Sequence, residues 1–399
     1  MILQHQPPLH LTYCLNIHSG ESWAENFAAI REKAVAVKHA IAPNEWFGLG
    51  LRLAHQAVTE LTASPELRAE ALDFFNANQL YPFTVNGFPY GRFHSGPVKE
   101  DVYAPDWRSH ERLEYTFQIA DILSGWLPDQ VDGSISTVPG SFKPWITTEE
   151  DVAAMVNNLA ATVAYLAALR DDTGKEIHLG LEPEPDCYLE TTEETIRFFN
   201  EVLLVAGATE VGRLLGCGPE QAEKLIRRHI GVCLDTCHVA MQFENLVDSY
   251  RAYVNAGIRI SKVQLSAALN AHSPPRGTDA LKPFVEPVYL HQVKARGDGG
   301  ARYSWYDLPD ALAEIPSFPD IQEINVHFHV PLFFNMGGVL RSTVDSLTTE
   351  FFQELRRGGT SHLEIETYTF DVIPPELHPG DVVRSVTREY LWVREKLRL

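Results

Sequence analysis

Four short stretches bring carboxylate or imidazole to the ends of apolar runs: "GLEPEPDCYLET" from Gly180, "CLDTCHVA" from Cys233, "HFHVP" from His327 and "LEIETYTF" from Leu363. In an extended strand side chains alternate between faces, so Glu182 and Glu184 share one face, as do His327 with His329 and Glu364 with Glu366. Carboxylates gathered in a closed interior lose solvation that only a cation, a metal ion or a shared proton replaces. Oxygen-rich ligation with one or two imidazoles suits a divalent ion such as manganese, magnesium or cobalt better than a structural zinc site, and zinc stays in the candidate set. The competing reading is a buried acid network neutralised by Arg52, Lys143 or Lys262.

Metal-assisted proton transfer is the chemistry such a set would do. Glu182 and Glu366, facing each other across one opening, are the candidate acid and base, one abstracting a proton from an α-hydroxycarbonyl compound and the other returning it. His238, three residues after Asp235, is a third catalytic candidate, able to turn inward beyond the strand end and hold a substrate oxygen. The loops "TVNGFPYGRFHSGPVKEDVYAPDW" and "STVPGSFKPW" present Arg92, His94 and Lys143 among aromatic residues, a composition suited to covering a substrate with an apolar portion. Together with His18, Asn86 and His327 from other run ends, they form the candidate substrate-binding set.

Elements that would collect these groups are visible along the chain. Short apolar or β-branched runs alternate with helical stretches, the pattern of parallel βα units. "EDVAAMVNNLAATVAYLAALRDD" carries apolar positions three and four apart, and "TTEETIRFFNEVLLVAG" opens on a capping box formed by Thr191 and Glu194. The expected fold is α/β: a TIM (β/α)8 barrel, one domain over 1–399, whose active groups sit at the C-terminal ends of its strands. About nine strand-like runs are present where such a barrel needs eight. The Pro- and Gly-rich stretch at about 270–320 is read as an insertion near that C-terminal face, leaving either "SKVQLSAAL" or "EINVHFHVPLF" as the seventh barrel strand. A doubly wound dinucleotide fold fits less well, because "NIHSGESW" after the first run holds one glycine where that fold wants about three.

Composition narrows the partners. A formal charge of −20 disfavours a nucleic-acid backbone and leaves small molecules as the expected ligands. Five cysteines with no CxxC pair fit reduced thiols. The N-terminal stretch has no signal-peptide pattern, and no run reaches the roughly 18 apolar residues of a membrane span, so a cytoplasmic location is expected.

These strand-end motifs resemble the xylose isomerase-like TIM-barrel superfamily. "GLEPEP", "CLDTCH" and "LEIET" match its metal-binding elements, and the resemblance implies Glu182, Asp235 and Glu366 as ligands. Where the superfamily places a strand-seven histidine this chain has Gln264, and His327 or His329 is the alternative; the candidate set is Glu182, Asp235, Glu366, Gln264 and His329. More closely, "YCLNIHSGESW", "TVNGFPYGRFH", "SISTVPGSFKPW", "LDTCHVA", "VHFHVPLF" and "HLEIETYTF" are together similar to the metabolite-traffic protein E family of the ebo gene clusters. That resemblance implies a cytoplasmic protein working beside a prenyltransferase-like membrane protein and a hydrolase-like protein, preparing a secondary-metabolite precursor for export. The implied activity is a divalent-metal-dependent isomerase or epimerase. The alternatives are a non-catalytic binding or hand-off module, and a phosphodiesterase like the superfamily's endonucleases, with His18, His94, His238, His291, His327 and His329 as zinc ligands.

Overall fold

A computed structural model describes residues 1–398 except 95, 97, 273, 275, 335–337, 376 and 379. Among the described residues the apolar runs form β1 (Pro8–Tyr13), β2 (Phe47–Arg52), β3 (Leu80–Asn86), β4 (Gly133–Thr137), β5 (Ile177–Leu181), β6 (Ile230–Asp235), β7 (Arg259–Leu265) and β8 (His362–Ile365). All pair in parallel with their neighbours, in the order β1-β8-β7-β6-β5-β4-β3-β2. The ring closes between β1 and β2 through the bridge from Cys14 to Gly50, while the strand Ile2–His5 pairs antiparallel along the lower part of β1. Gly50 is required at this seam: a Cβ there would lie 2.2 Å from Glu364 Oε1 and 2.8 Å from the Tyr13 carbonyl.

Helices fill the gaps where the apolar spacing is three and four. Glu149–Thr173 starts on a capping box of Thr148 and Asp151 and ends at Gly174 with φ 71°. By length and composition it could span a membrane, but 44% of its most apolar window is buried, and it packs on β5 and neighbouring helices. The capping box of Thr191 and Glu194 is present, starting Thr192–Arg197.

The sequence left the seventh strand open, and "SKVQLSAAL" supplies it. "EINVHFHVPLF" lies instead in a second, five-stranded antiparallel sheet between β7 and β8, ordered Arg302–Trp305, Val293–Gly297, Ile321–His329, Ala268–His272 and Leu340–Ser342. This sheet extends past residue 320 to Ser342, beyond the stretch marked by Pro and Gly, because its last two strands contain neither residue. It starts three residues after β7 ends, and so stands over the C-terminal mouth of the barrel. The pairing of Val326 with Leu269 is followed by that of His329 with Ala268, a bulge of two extra residues that redirects His327 and His329.

The final helix, Val382–Lys396, ties these parts together through Glu389. Its buried carboxylate accepts from the Leu332 amide at 3.0 Å, between two strands of the capping sheet, and from the Thr367 hydroxyl at 2.8 Å, just after β8. Burial pushes its pKa up to about 7 from 4.5. A carboxyl whose folded pKa is raised contributes its stability fully below pH 4.5 and loses it as pH rises through 7, because the native state keeps a proton the unfolded chain has released. We predict that urea denaturation shows stability falling by roughly 3 kcal/mol over that window, and that Glu389→Gln flattens the fall. An unchanged slope in the variant assigns it elsewhere.

Candidate metal centre

The site is assembled from strand ends. Glu182 follows β5, its amide donating to the Thr137 carbonyl at 3.1 Å, and Glu366 follows β8, its amide donating to the Leu265 carbonyl at 3.1 Å. Asp235 ends β6 and caps the helix Thr236–Met241, whose first turn carries His238. His327 and His329 come down from the capping sheet. Side-chain oxygens of Glu182, Asp235 and Glu366 lie within 4.8 Å of one another, and all three residues are buried.

Asp235 is held by one oxygen. Its Oδ1 accepts from the Cys237 amide at 2.7 Å, the His238 amide at 3.1 Å and the Ser266 hydroxyl at 2.6 Å, while Oδ2 is buried with no donor among the described residues. Glu182 Oε2 is likewise buried without a donor. Glu366 is aimed by the Asn16 and Asn86 side-chain amides, which donate to its Oε1 at 2.8 and 2.9 Å. Buried polar atoms are nearly always satisfied, so two orphaned carboxylate oxygens in one cluster call for a cation or a shared proton between them.

Electrostatics point the same way. Burial, then the charge of Asp235, raises the Glu182 pKa well above the usual carboxylate range; for Glu366 the causes are burial, then Glu182 and Asp235. Burial also acts on Asp235, but His238, His329 and its hydrogen-bond donors outweigh it and keep that pKa low. Of the three cations weighed against the metal reading, none bonds the trio, and the charge of Lys262, which acts on Glu182 and Glu366, does not outweigh their burial. Arg52 pairs with Glu21 at 2.9 Å, Lys143 with Glu190 at 2.5 Å and Glu194 at 3.2 Å, and Lys262 with Glu364 inside the barrel. Hard oxygen donors, convergence and orphaned atoms together fit a divalent cation held by Glu182, Asp235 and Glu366.

Three imidazoles border the trio. Atoms of Asp235, His238 and His329 lie within 4.8 Å of each other, as do those of Glu184, His238 and His327. His238 Nδ1 faces the Pro183 carbonyl at 3.0 Å, His327 Nδ1 the Gln292 side-chain oxygen at 2.7 Å, and His329 Nδ1 the Glu366 carbonyl at 3.2 Å. Burial lowers the His329 pKa to about 4 and carries that of His327 well below its ordinary value.

Glu182, Glu366, His238, His327, His329 and Asn86 line one cavity of about 60 Å³ with Asn16, Glu184 and an apolar roof that includes Phe88, Phe93, Val98, Tyr289 and Tyr368. The rest of the predicted set is dispersed. Gln264 lies deeper in the barrel, its side-chain oxygen accepting from the Cys233 thiol at 2.9 Å. His18 bonds the Tyr13 hydroxyl at 3.0 Å, and His94 stands behind the wall, bridging the Asn16 carbonyl and the Tyr289 hydroxyl. Arg92 is exposed beside a different, outer depression, and Lys143 is committed to its two glutamates. Loop composition placed these two near a substrate, but side-chain direction in a loop has no period to read.

Glu184 is the main group the sequence selection omitted, although it shares a face with Glu182. It accepts from the Tyr103 hydroxyl at 2.8 Å, burial raises its pKa to about 7, and Tyr103 in turn accepts from the Gln292 amide at 2.7 Å. Strand alternation could have found Glu184, and Tyr103 belongs to the aromatic loop read as a substrate cover, but its bond to Glu184 and the partner Gln292 had no local signal.

No family model matches the chain, and no curated protein matches it. Among solved structures it is similar to a xylose isomerase-like TIM-barrel protein from Mycobacterium smegmatis, solved in complex with magnesium, with TM-score 0.50, 10% identity, and 98% of this chain and 96% of that one covered. It is also similar to a D-tagatose 3-epimerase-like protein (TM-score 0.49, 12% identity, 98% and 97% covered) and to the IolI protein with a bound zinc atom (TM-score 0.49, 10% identity, 98% of each chain covered). The chain has a TIM-barrel fold.

Lys262 and Glu364 form a fully buried ion pair below the trio. Removing one partner of such a pair strands the other charge, so Lys262→Met should cost roughly 3–5 kcal/mol in urea denaturation, and Lys262→Met with Glu364→Gln should recover most of it. A single-variant cost below about 1 kcal/mol, the value of an exposed pair, would contradict this placement.

Proposed function

We propose that the chain is a divalent-metal-dependent isomerase or epimerase acting on a small hydroxylated carbonyl compound. The observation that carries this reading is the convergence of three buried carboxylates, two with an orphaned oxygen, at the mouth of a parallel barrel. A bound divalent ion would act as a Lewis acid toward neighbouring substrate oxygens and lower the cost of a proton leaving the adjacent carbon. Glu182 and Glu366, which face the same small cavity, take that proton and return it to the opposite face of the same carbon or to the neighbouring carbon. Asn16 and Asn86 aim Glu366, and apolar side chains line the outer part of the cavity. His238 is placed to hold a substrate oxygen. The cytoplasm, and the prenyltransferase-like and hydrolase-like partners of a metabolite-export cluster, are the setting we propose for it.

The test is deuterium exchange from solvent into a panel of small ketoses, followed by NMR with manganese or magnesium present. We expect metal-dependent exchange at the carbon next to the carbonyl, reduced at least ~100-fold by Glu182→Gln or Glu366→Gln without loss of fold. Exchange that survives both changes, or is absent across the panel in metal-loaded protein, would count against the enzyme.

A non-catalytic hand-off module is the second reading, favoured by the apolar roof over a small cavity. It predicts that both Gln variants sustain product export in a host that depends on the protein.

A further inference from the structure

We propose that the substrate joins its hydroxycarbonyl head to an uncharged apolar tail, an aryl group above all, and that the chain selects it over sugars and sugar phosphates. The inference rests on the isomerase reading for the head, while the tail is argued from the outer part of the cavity alone.

The cavity has two unlike ends. Hydrogen-bonding groups gather at the strand ends, where Glu182, Glu366, Asn16 and Asn86 stand with the imidazoles, and the outer part is lined by Phe88, Pro89, Phe93, Val98, Val102 and Leu290. The 60 Å³ given above is room for the centres of water molecules; the unfilled space within the lining, its open mouth included, is about 550 Å³. That is the size of ordinary small-molecule sites.

The polar groups that reach the outer part are already engaged. The Tyr103 hydroxyl donates to Glu184 at 2.8 Å and accepts from the Gln292 amide at 2.7 Å, and the Tyr289 hydroxyl bonds His94 Nδ1, behind the wall, at 2.7 Å. Lys99 is the only lysine or arginine among the described lining residues, and its ammonium is held by Asp307 at 2.6 Å and by the Tyr289 carbonyl at 2.7 Å. The distal hydroxyls of a sugar would lose water there and gain no partner. A distal phosphate would meet the carboxylates of Glu182, Glu184 and Glu366 with no unpaired lysine or arginine to offset them. A ketol too short to reach the outer part escapes both penalties and still presents its head to the trio.

What the outer part offers is aromatic surface. Ring centroids of Phe93, Tyr289 and Tyr368 are each 5.2 Å from the other two, and Phe88 meets Tyr103 edge-on at 6.0 Å. Aromatic rings favour such tilted and edge-to-face contacts, so a substrate ring extends the cluster. Phe93 follows β3, Tyr289 precedes the capping-sheet strand Val293–Gly297 and Tyr368 follows β8. The cluster is therefore assembled by the fold, as the carboxylate trio is.

Calorimetric binding to the manganese-loaded full chain, paired with solvent deuterium exchange by NMR, tests this on three ketols that share one head: one with a phenyl tail, a pentulose, and that pentulose phosphorylated at its far end. We expect the phenyl ketol to bind at least ~100-fold more tightly than either sugar, and Phe93→Ala or Tyr368→Leu to cut that gap about 10-fold. A pentulose or pentulose phosphate that binds as tightly as the phenyl ketol overturns the inference, and if it exchanges the isomerase reading stands. A gap unchanged in both variants also overturns it, because the preference then lies outside the aromatic cluster. Tight binding of the phenyl ketol with no exchange in any of the three supports the tail and counts against the isomerase.

Discussion

The organising constraint of this molecule is the desolvation of carboxylates at the mouth of its barrel. Glu182, Asp235 and Glu366 are brought together by three different strands, and folding removes water from all of them while leaving two oxygens without a donor. Burying unpaired carboxylate charge costs far more than a single domain's usual margin of stability. The chain limits that cost by raising two of the three pKa values and by fixing Asp235 with three hydrogen bonds. A divalent ion would remove the remainder. Stability and binding therefore meet in the same atoms.

The surrounding structure follows from keeping those atoms in place. Lys262 and Glu364 occupy the interior beneath the trio, and Gly50 leaves room for Glu364 where the ring closes. The capping sheet completes the mouth from above, delivering His327 and His329 through a bulge. Glu389 ties a connection within that sheet and the segment after β8 to the last helix.

How much of this the sequence disclosed depended on whether the determinant was local. Alternating strands with polar C-terminal ends are a short-range pattern, so the barrel and the approach of Glu182, Asp235 and Glu366 were legible from period-two spacing. His327 and His329 were legible as a chemical pair but not as part of the cap, because a buried antiparallel strand and a buried barrel strand have the same apolar pattern. Glu184 was open to the same alternation argument as Glu182. Tyr103 was legible as part of an aromatic loop, but its pairing with Gln292 was not, since that hydrogen bond joins residues 189 positions apart. Arg92 and Lys143 show the converse: charge within an aromatic loop says nothing about which way the side chain turns, and here one faces solvent and the other two nearby glutamates.

The central claim is that the carboxylate trio is built to receive a divalent cation, and thermal unfolding with and without one measures it directly. A ligand that binds only the native state adds roughly 2.7 kcal/mol when present at a hundred times its dissociation constant. Protein stripped with chelator and then given manganese or magnesium should melt several degrees higher, a gain that Asp235→Asn combined with Glu182→Gln and Glu366→Gln abolishes while raising the metal-free melting temperature. An identical melting temperature with and without either ion, in wild-type protein free of chelator, would contradict the account.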